Sequence, residues 1–276
     1  MRFIRTQSAF LICTVFAFQL IPSVSSADEL KITVQSLQPA GGFSFSPIWF
    51  GFHDGTFQPF TAGTAASSSI EAVAELADLG PISSQFTGHG VQTTVGGAPF
   101  TPGTSASTII DISDTSMNRF VSYAGMVVPS NDLFLGNQNA LALFDASGHF
   151  LGPQTITIYG RNVWDAGTEV NNVNDHPAFI QGQDAHGGTD EHGVIGLFLD
   201  RSDSGAYLNS FLGKTTAANY EITSLLSSDV ALASISFQVV PESSSVLLVA
   251  CGMIGLASTW CVRRLQQRNP TETEQV

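Results

Sequence analysis

Residues 120–136 read Phe-Val-Ser-Tyr-Ala-Gly-Met-Val-Val-Pro-Ser-Asn-Asp-Leu-Phe-Leu-Gly. The first nine, Phe120 to Val128, are nearly continuous in apolar and small residues, as a buried strand requires. The same kind of signal recurs on either side. Leu30, Ile32 and Val34 alternate with polar residues, the pattern of a half-buried strand. After Gly41-Gly42 come Phe43-Ser44-Phe45 and the aromatic stretch Ile48-Trp49-Phe50-Gly51-Phe52, closed by a turn at His53-Asp54-Gly55. Further strands are expected over residues 107–112, 141–144, 154–163, 194–199, 220–225 and 230–239.

Residues 65–79 break the pattern. Ile70, Val73, Ala74, Leu76 and Ala77 recur at spacings of three and four, which predicts an amphipathic helix. Ser67, Ser68 or Ser69 caps its start and Gly80-Pro81 stops it. Many short strands, frequent Gly and Pro turns and a single short helix predict an all-β fold, an antiparallel sandwich. Residues 165–193 form a long polar loop rich in Asn, Asp, Gly and His; loops of that length in a compact domain are commonly functional or disordered.

The two ends read differently from the middle. Arg2 and Arg5 precede an apolar run over residues 9–21 and small residues ending at Ala27, the composition of a secretory signal peptide spanning residues 1–27. Residues 246–262 are apolar or small throughout and are followed at once by Arg263, Arg264 and Arg268. That run sits at the lower limit for a transmembrane helix, with the arginines on the cytoplasmic side. Residues 28–239 form one domain, long enough to bury a core without staples, and residues 269–276 are a polar tail. The three cysteines, Cys13, Cys251 and Cys261, all lie outside that domain, so it stands without disulfides.

The domain is acidic. Five Lys and Arg remain in it against 20 Asp and Glu, a formal charge of −15 in a chain of −13 overall. Such a surface repels nucleic acid and anionic lipid and favours cations, although solubility alone also accounts for it. Nucleophile signatures are missing: the domain has no Gly-x-Ser-x-Gly, no Gly-rich phosphate loop and no cysteine. His176, His186 and His192 share the long loop with Asp175, Asp184, Asp190 and Glu191, at spacings that match no zinc signature. Asp132, Asp165 and Glu169 remain. Asp165 and Glu169 are four apart across a Gly-containing turn, so their side chains can converge, and Asp132 can close the set from a neighbouring loop. Read alone, the two aspartates fit turn capping better than they fit a hard, oxygen-liganded cation.

Four segments carry a family resemblance: residues 43–55, residues 126–136, Ile156 to Tyr159, and Trp164-Asp165-Ala166-Gly167-Thr168-Glu169. Together they resemble the spondin N-terminal domain of the F-spondin and mindin type, in its bacterial form. The resemblance implies a β-sandwich similar to a C2 domain, with a calcium ion held by loops at one end. It assigns metal-ligand roles to Asp132, Asp165 and Glu169; the last departs from the animal pattern, which has Asp there. The tail has its own likeness. Val240-Pro241-Glu242-Ser243, an apolar helix and the Arg263-Arg264 cluster are similar to the PEP-CTERM sorting signal over residues 240–268, with Ser243 in place of the second proline. That implies membrane attachment through the helix, then cutting near Pro241-Glu242 by an exosortase-type enzyme and delivery to the cell surface or extracellular matrix. The expectation is therefore a non-enzymatic, calcium-binding protein of adhesion or biofilm, with a surface polysaccharide or matrix protein as partner. Two alternatives belong to other classes. One is a secreted metal-dependent hydrolase using His53-Asp54 or residues 175–192; the other is a carbohydrate-binding module using Trp49 and Trp164.

Overall fold

The structure, a computed structural model, describes residues 29–112 and 114–240. The expected signal peptide, helix 246–262 and the sorting residues Pro241, Glu242, Arg263 and Arg264 lie outside the described residues. Twelve strands follow in order: β1 (Glu29–Ser36), β2 (Ser44–Phe45), β3 (Ile48–His53), β4 (Gly90–Val95), β5 (Ser105–Asp111), β6 (Phe120–Val128), β7 (Leu133–Gly136), β8 (Leu141–Ala142), β9 (Gln154–Tyr159), β10 (Trp164–Asp165), β11 (Gly196–Leu197) and β12 (Ala231–Val239). Helices α1 (Ser68–Leu76) and α2 (Gly80–Phe86) stand between β3 and β4, and α3 (Ser204–Ser210) between β11 and β12.

Alternation builds the first sheet, of order β5-β1-β12-β9 and antiparallel throughout. Leu30, Ile32 and Val34 of β1 are fully buried while Glu29, Lys31 and Gln35 are exposed. Their partners on β12 are Val239, Phe237 and Ile235, so the apolar face is continuous across the pair. The second sheet has the order β11-β10-β7-β6-β3-β4, with β2 and β8 also pairing to β6. One of its faces, with Phe50, Phe52, Val121, Val127, Leu133 and Leu135, packs on the first sheet. The other face, with Trp49, Ala124 and Phe134, is covered by Ile70, Val73 and Ala74 of α1 and by Ile82 and Phe86 of α2.

Cover on both sides explains why β3 and β6 read as unbroken apolar runs: strands alternate only where one face meets water. Each fully buried large side chain contributes about 1.5–3 kcal/mol. Trp49 meets Phe86 edge to face at 5.2 Å, and Gly51 makes room for both rings, since a Cβ there would collide with each. The two antiparallel sheets agree with the expected sandwich; the helix count does not, because the described residues form three short α-helices rather than one.

The expected helix over 65–79 is shorter and is followed by another. Ser67 caps α1 as expected, accepting the Ile70 N–H at 3.4 Å, and the helix ends where Ala77 turns left-handed at φ 55°. Gly80-Pro81 opens α2 instead of closing α1, because proline at the first helical positions lacks only an N–H that has no partner there. Helix α3 forms in a polar stretch and buries Tyr207 and Leu208. Residues 90–95, not among the expected strands, form β4. Residues 220–225 are not a strand: Glu221 makes a single bridge to Thr215, and Ile222 is buried from a loop. Strand β9 stops at Tyr159, where Gly160 passes too close to the Ser227 backbone to admit a Cβ.

Candidate metal centre

Strand β6 ends at Val128, and residues 129–132 turn the chain into β7. The Ser130 hydroxyl donates to the Val127 carbonyl and accepts the Leu133 N–H at 3.1 Å. Asn131 reaches outward from the same turn. Its Oδ1 accepts the Asn172 N–H at 3.1 Å and its Nδ2 donates to the Asp175 carbonyl at 2.6 Å. The Tyr207 hydroxyl, on α3, accepts the Asn131 N–H at 2.8 Å and donates to Asn131 Oδ1 at 2.6 Å. Strand, long loop and helix are thereby tied at the residue before Asp132.

β10 pairs with β7 so that Asp165 stands opposite Leu133, and the Ala166 N–H donates to the Asp132 carbonyl at 3.1 Å. The loop after β10 then folds over the Asp132 carboxylate. Oδ2 accepts the N–H groups of Thr168 and Glu169 at 2.8 and 3.2 Å and the Thr168 hydroxyl at 3.3 Å. Asp165 is fully engaged: Oδ1 accepts from Gly167 N at 2.9 Å and from Arg201 Nη1 at 3.0 Å, and Oδ2 accepts from Asn171 Nδ2 at 2.8 Å. Glu169 sits against the backbone of Gly188, where a Cβ would strike both carboxylate oxygens. The three expected ligands are therefore on two adjoining segments, and none is more than 4 % exposed.

Burial dominates the electrostatics. It pushes the Asp132 carboxyl well above the usual carboxylate range, the charge of Asp165 adds to that, and the Thr168 and Glu169 N–H groups oppose it. Asp165 is raised by burial too, against the pull of Asn171 and Arg201. Glu169 is pushed up to about 7, first by burial and then by Glu75 and Asp175. Arg201 answers part of this charge, pairing with Asp165, with Glu191 and, at 3.6 Å, with Asp203.

Four oxygens in this region are buried with no hydrogen-bond partner: Asp132 Oδ1, Glu169 Oε2, Asn171 Oδ1 and Glu191 Oε2. Buried polar atoms are rarely left so. All four are hard donors of the kind calcium takes, so the residues present fit that ion by type. Among the described residues no three His, Cys, Asp or Glu side chains enclose an ion by themselves. A calcium ion here would also draw on amide or backbone carbonyl oxygen and water. Sequence reasoning assigned no role to Asn131, Asn171, Tyr207 or Arg201. Arg201 carries the one usable signal, being among five cations in a domain with 20 acids.

The rival residues are placed elsewhere. His53 is fully buried; its Nδ1 accepts the Gly55 N–H at 3.0 Å and its Nε2 contacts Ser122 Oγ at 3.0 Å, so it holds a turn. Asp54 accepts from Thr56 N and Oγ1 in the same turn. His176 bonds the Asp184 carbonyl and His186 the Asp184 carboxylate, and the two make no metal set with His192. Trp49 is core, its Nε1 donating to Gln92 Oε1 at 2.7 Å. Trp164 is half-buried, edge to face with Phe60, with Nε1 donating to the Gly136 carbonyl at 3.1 Å.

Comparison with known proteins follows the same residues. A family model described as Spondin_N matches residues 37–181, just over half of the 276. The matched span contains Asp132, Asp165 and Glu169; β1, α3, β12 and Arg201 fall outside it. No curated protein matches the chain.

Proposed function

The chain belongs to the Spondin_N family, and from that premise we propose that it is an exported, calcium-binding, non-enzymatic protein of the cell surface or extracellular matrix. Likeness to a C2 domain, with the ion held by loops at one end of the sandwich, is part of the same reading. The observation that carries it is Asp132: a fully buried carboxylate with one oxygen bonded to the Thr168–Glu169 turn and the other without a partner, beside Asp165 and Glu169. When bound, calcium would neutralise these carboxylates and cross-link their loops. The chain's own residues do the rest. Asn131 and Tyr207 hold the Asp132 turn, Arg201 holds Asp165, and Gly188 leaves space for the Glu169 carboxylate.

A non-enzymatic role is supported by a family that is generally non-catalytic and by His53, which holds a turn. Adhesion or biofilm work, a polysaccharide or matrix partner, and release from the membrane by an exosortase-type enzyme at Pro241-Glu242 complete the proposal. Its test is thermal melting of residues 28–239 with calcium and with chelator. The melting temperature rises with calcium because the ion binds the native state. An unmoved melting point removes the calcium reading.

A further inference from the structure

We propose that a cavity of about 340 Å³ between the two sheets, walled by Tyr123, Thr157, Trp164 and the amides of Gln138, Asn139 and Asn162, binds one residue of an uncharged polysaccharide. Its volume lies within the range of roughly 300–1,000 Å³ typical of small-molecule sites. No Lys, Arg, His, Asp or Glu lines it, so in this strongly acidic domain it is a neutral pocket. Amide and hydroxyl residues line it together with Ile156, Ile158 and Leu197, and an amide offers a donor and an acceptor side by side, as adjacent sugar hydroxyls do.

The second observation is Tyr123. The residue is 5 % exposed, its ring packs on Phe50 at 6.1 Å, and burial pushes its phenol pKa up. Its hydroxyl makes no hydrogen bond to any described residue, while its backbone N–H is bonded to Asn137 Oδ1 at 2.8 Å. The hydroxyl is open to the cavity rather than sealed in the core, so it can donate to a sugar oxygen there. Asn137 is consumed by the fold, since its Nδ2 donates to the Val121 and Asn139 carbonyls. That clamp fixes the loop carrying Gln138 and Asn139. Asn162 Oδ1 is likewise taken, by the Tyr159 N–H, so its Nδ2 is the group offered. Ile156, packed against the inter-sheet core, supplies apolar surface for the C–H face of a pyranose.

A polymer fits better than a free sugar. A second cavity of about 570 Å³, bounded by Phe120, Arg119 and the turn after His53, shares Gln138 and Asn139 with the first. A chain seated in one continues past those two amides into the other. The pocket shares no side chain with the carboxylate site, so loss of the calcium response leaves this proposal standing.

Tryptophan-fluorescence titration of the intact chain, in a non-glycosidic detergent, tests it. The probes are gluco-, galacto-, manno- and xylo-configured neutral tetrasaccharides, their monosaccharides, and tetragalacturonate as the charged arm. At least one neutral tetrasaccharide saturates the signal and binds more tightly than its monomer. Tyr123→Phe weakens it about three- to tenfold, the loss of one hydrogen bond, and Gln138→Ala weakens it as well, both with unchanged melting. The proposal is overturned if no neutral tetrasaccharide binds at millimolar concentration, if only tetragalacturonate binds, or if both variants bind like the parent.

Discussion

Arg201 Nη1 stands 3.0 Å from Asp165 Oδ1, and that aspartate is fully buried while the arginine is 24 % exposed. The pair joins β10 to the segment after β11, and it is the positive charge set among Asp165, Glu191 and Asp203. Arg201→Gln leaves Asp165 buried and its charge unmet. Breaking a buried pair from one side is strongly destabilising, and with Arg201 partly solvated the expected loss is about 2–3 kcal/mol. Urea unfolding in chelator measures it.

Asp132→Asn separates binding from folding. In the metal-free protein the change removes a costly buried charge, so melting in chelator stays level or rises. The calcium-dependent rise, about 2.7 kcal/mol at a hundredfold excess over Kd, disappears. A variant that still responds to calcium in full removes Asp132 from the site.

Gly188→Ala acts on the same site without replacing a carboxylate. The new methyl group meets both oxygens of Glu169, and overpacking of this kind costs about 1–3 kcal/mol. The calcium midpoint moves to higher concentration because Glu169 is displaced. Titration followed by melting temperature reads both effects.

His53 sets a pH dependence of its own. Burial lowers its pKa below the ordinary 6.5, only partly offset by Asp54. As pH falls through 6.5 the unfolded chain takes up a proton that the folded protein refuses, so the stability this neutral ring contributes is present above 6.5 and lost below it. His53→Gln flattens the slope of unfolding free energy below pH 6.5. A slope identical to the parent's assigns it to other groups.

The sheets were legible where chemistry is local. Phe120–Val128 is recovered at both ends because each of its faces is buried and every position is therefore apolar or small. Leu30, Ile32 and Val34 give β1 away by alternation. The second helix was missed because Gly80-Pro81 can end one helix and begin another, and packing against β3 and β4 decides which. Helix α3 has too few apolar positions to show a period. At the candidate site, sequence supplied the acidic groups that the β7–β10 pairing places on adjoining segments. It did not supply Arg201 or Tyr207, which reach the site from far along the chain, Arg201 from the turn after β11 and Tyr207 from α3.

The pairing of β1 with β12 also fixes how the domain bears load. Leu30 lies opposite Val239, and the Val240 N–H donates to the Glu29 carbonyl at 3.0 Å, so the domain's two ends leave from the same corner. Tension between those ends would open the ladder one rung at a time, since the bonds of an antiparallel pair lie across the strands. Tension between the C-terminal end and a partner gripping the body would instead drag β12 lengthwise between β1 and β9, loading all its rungs together. The fold is mechanically weak along one line of pull and strong along the other.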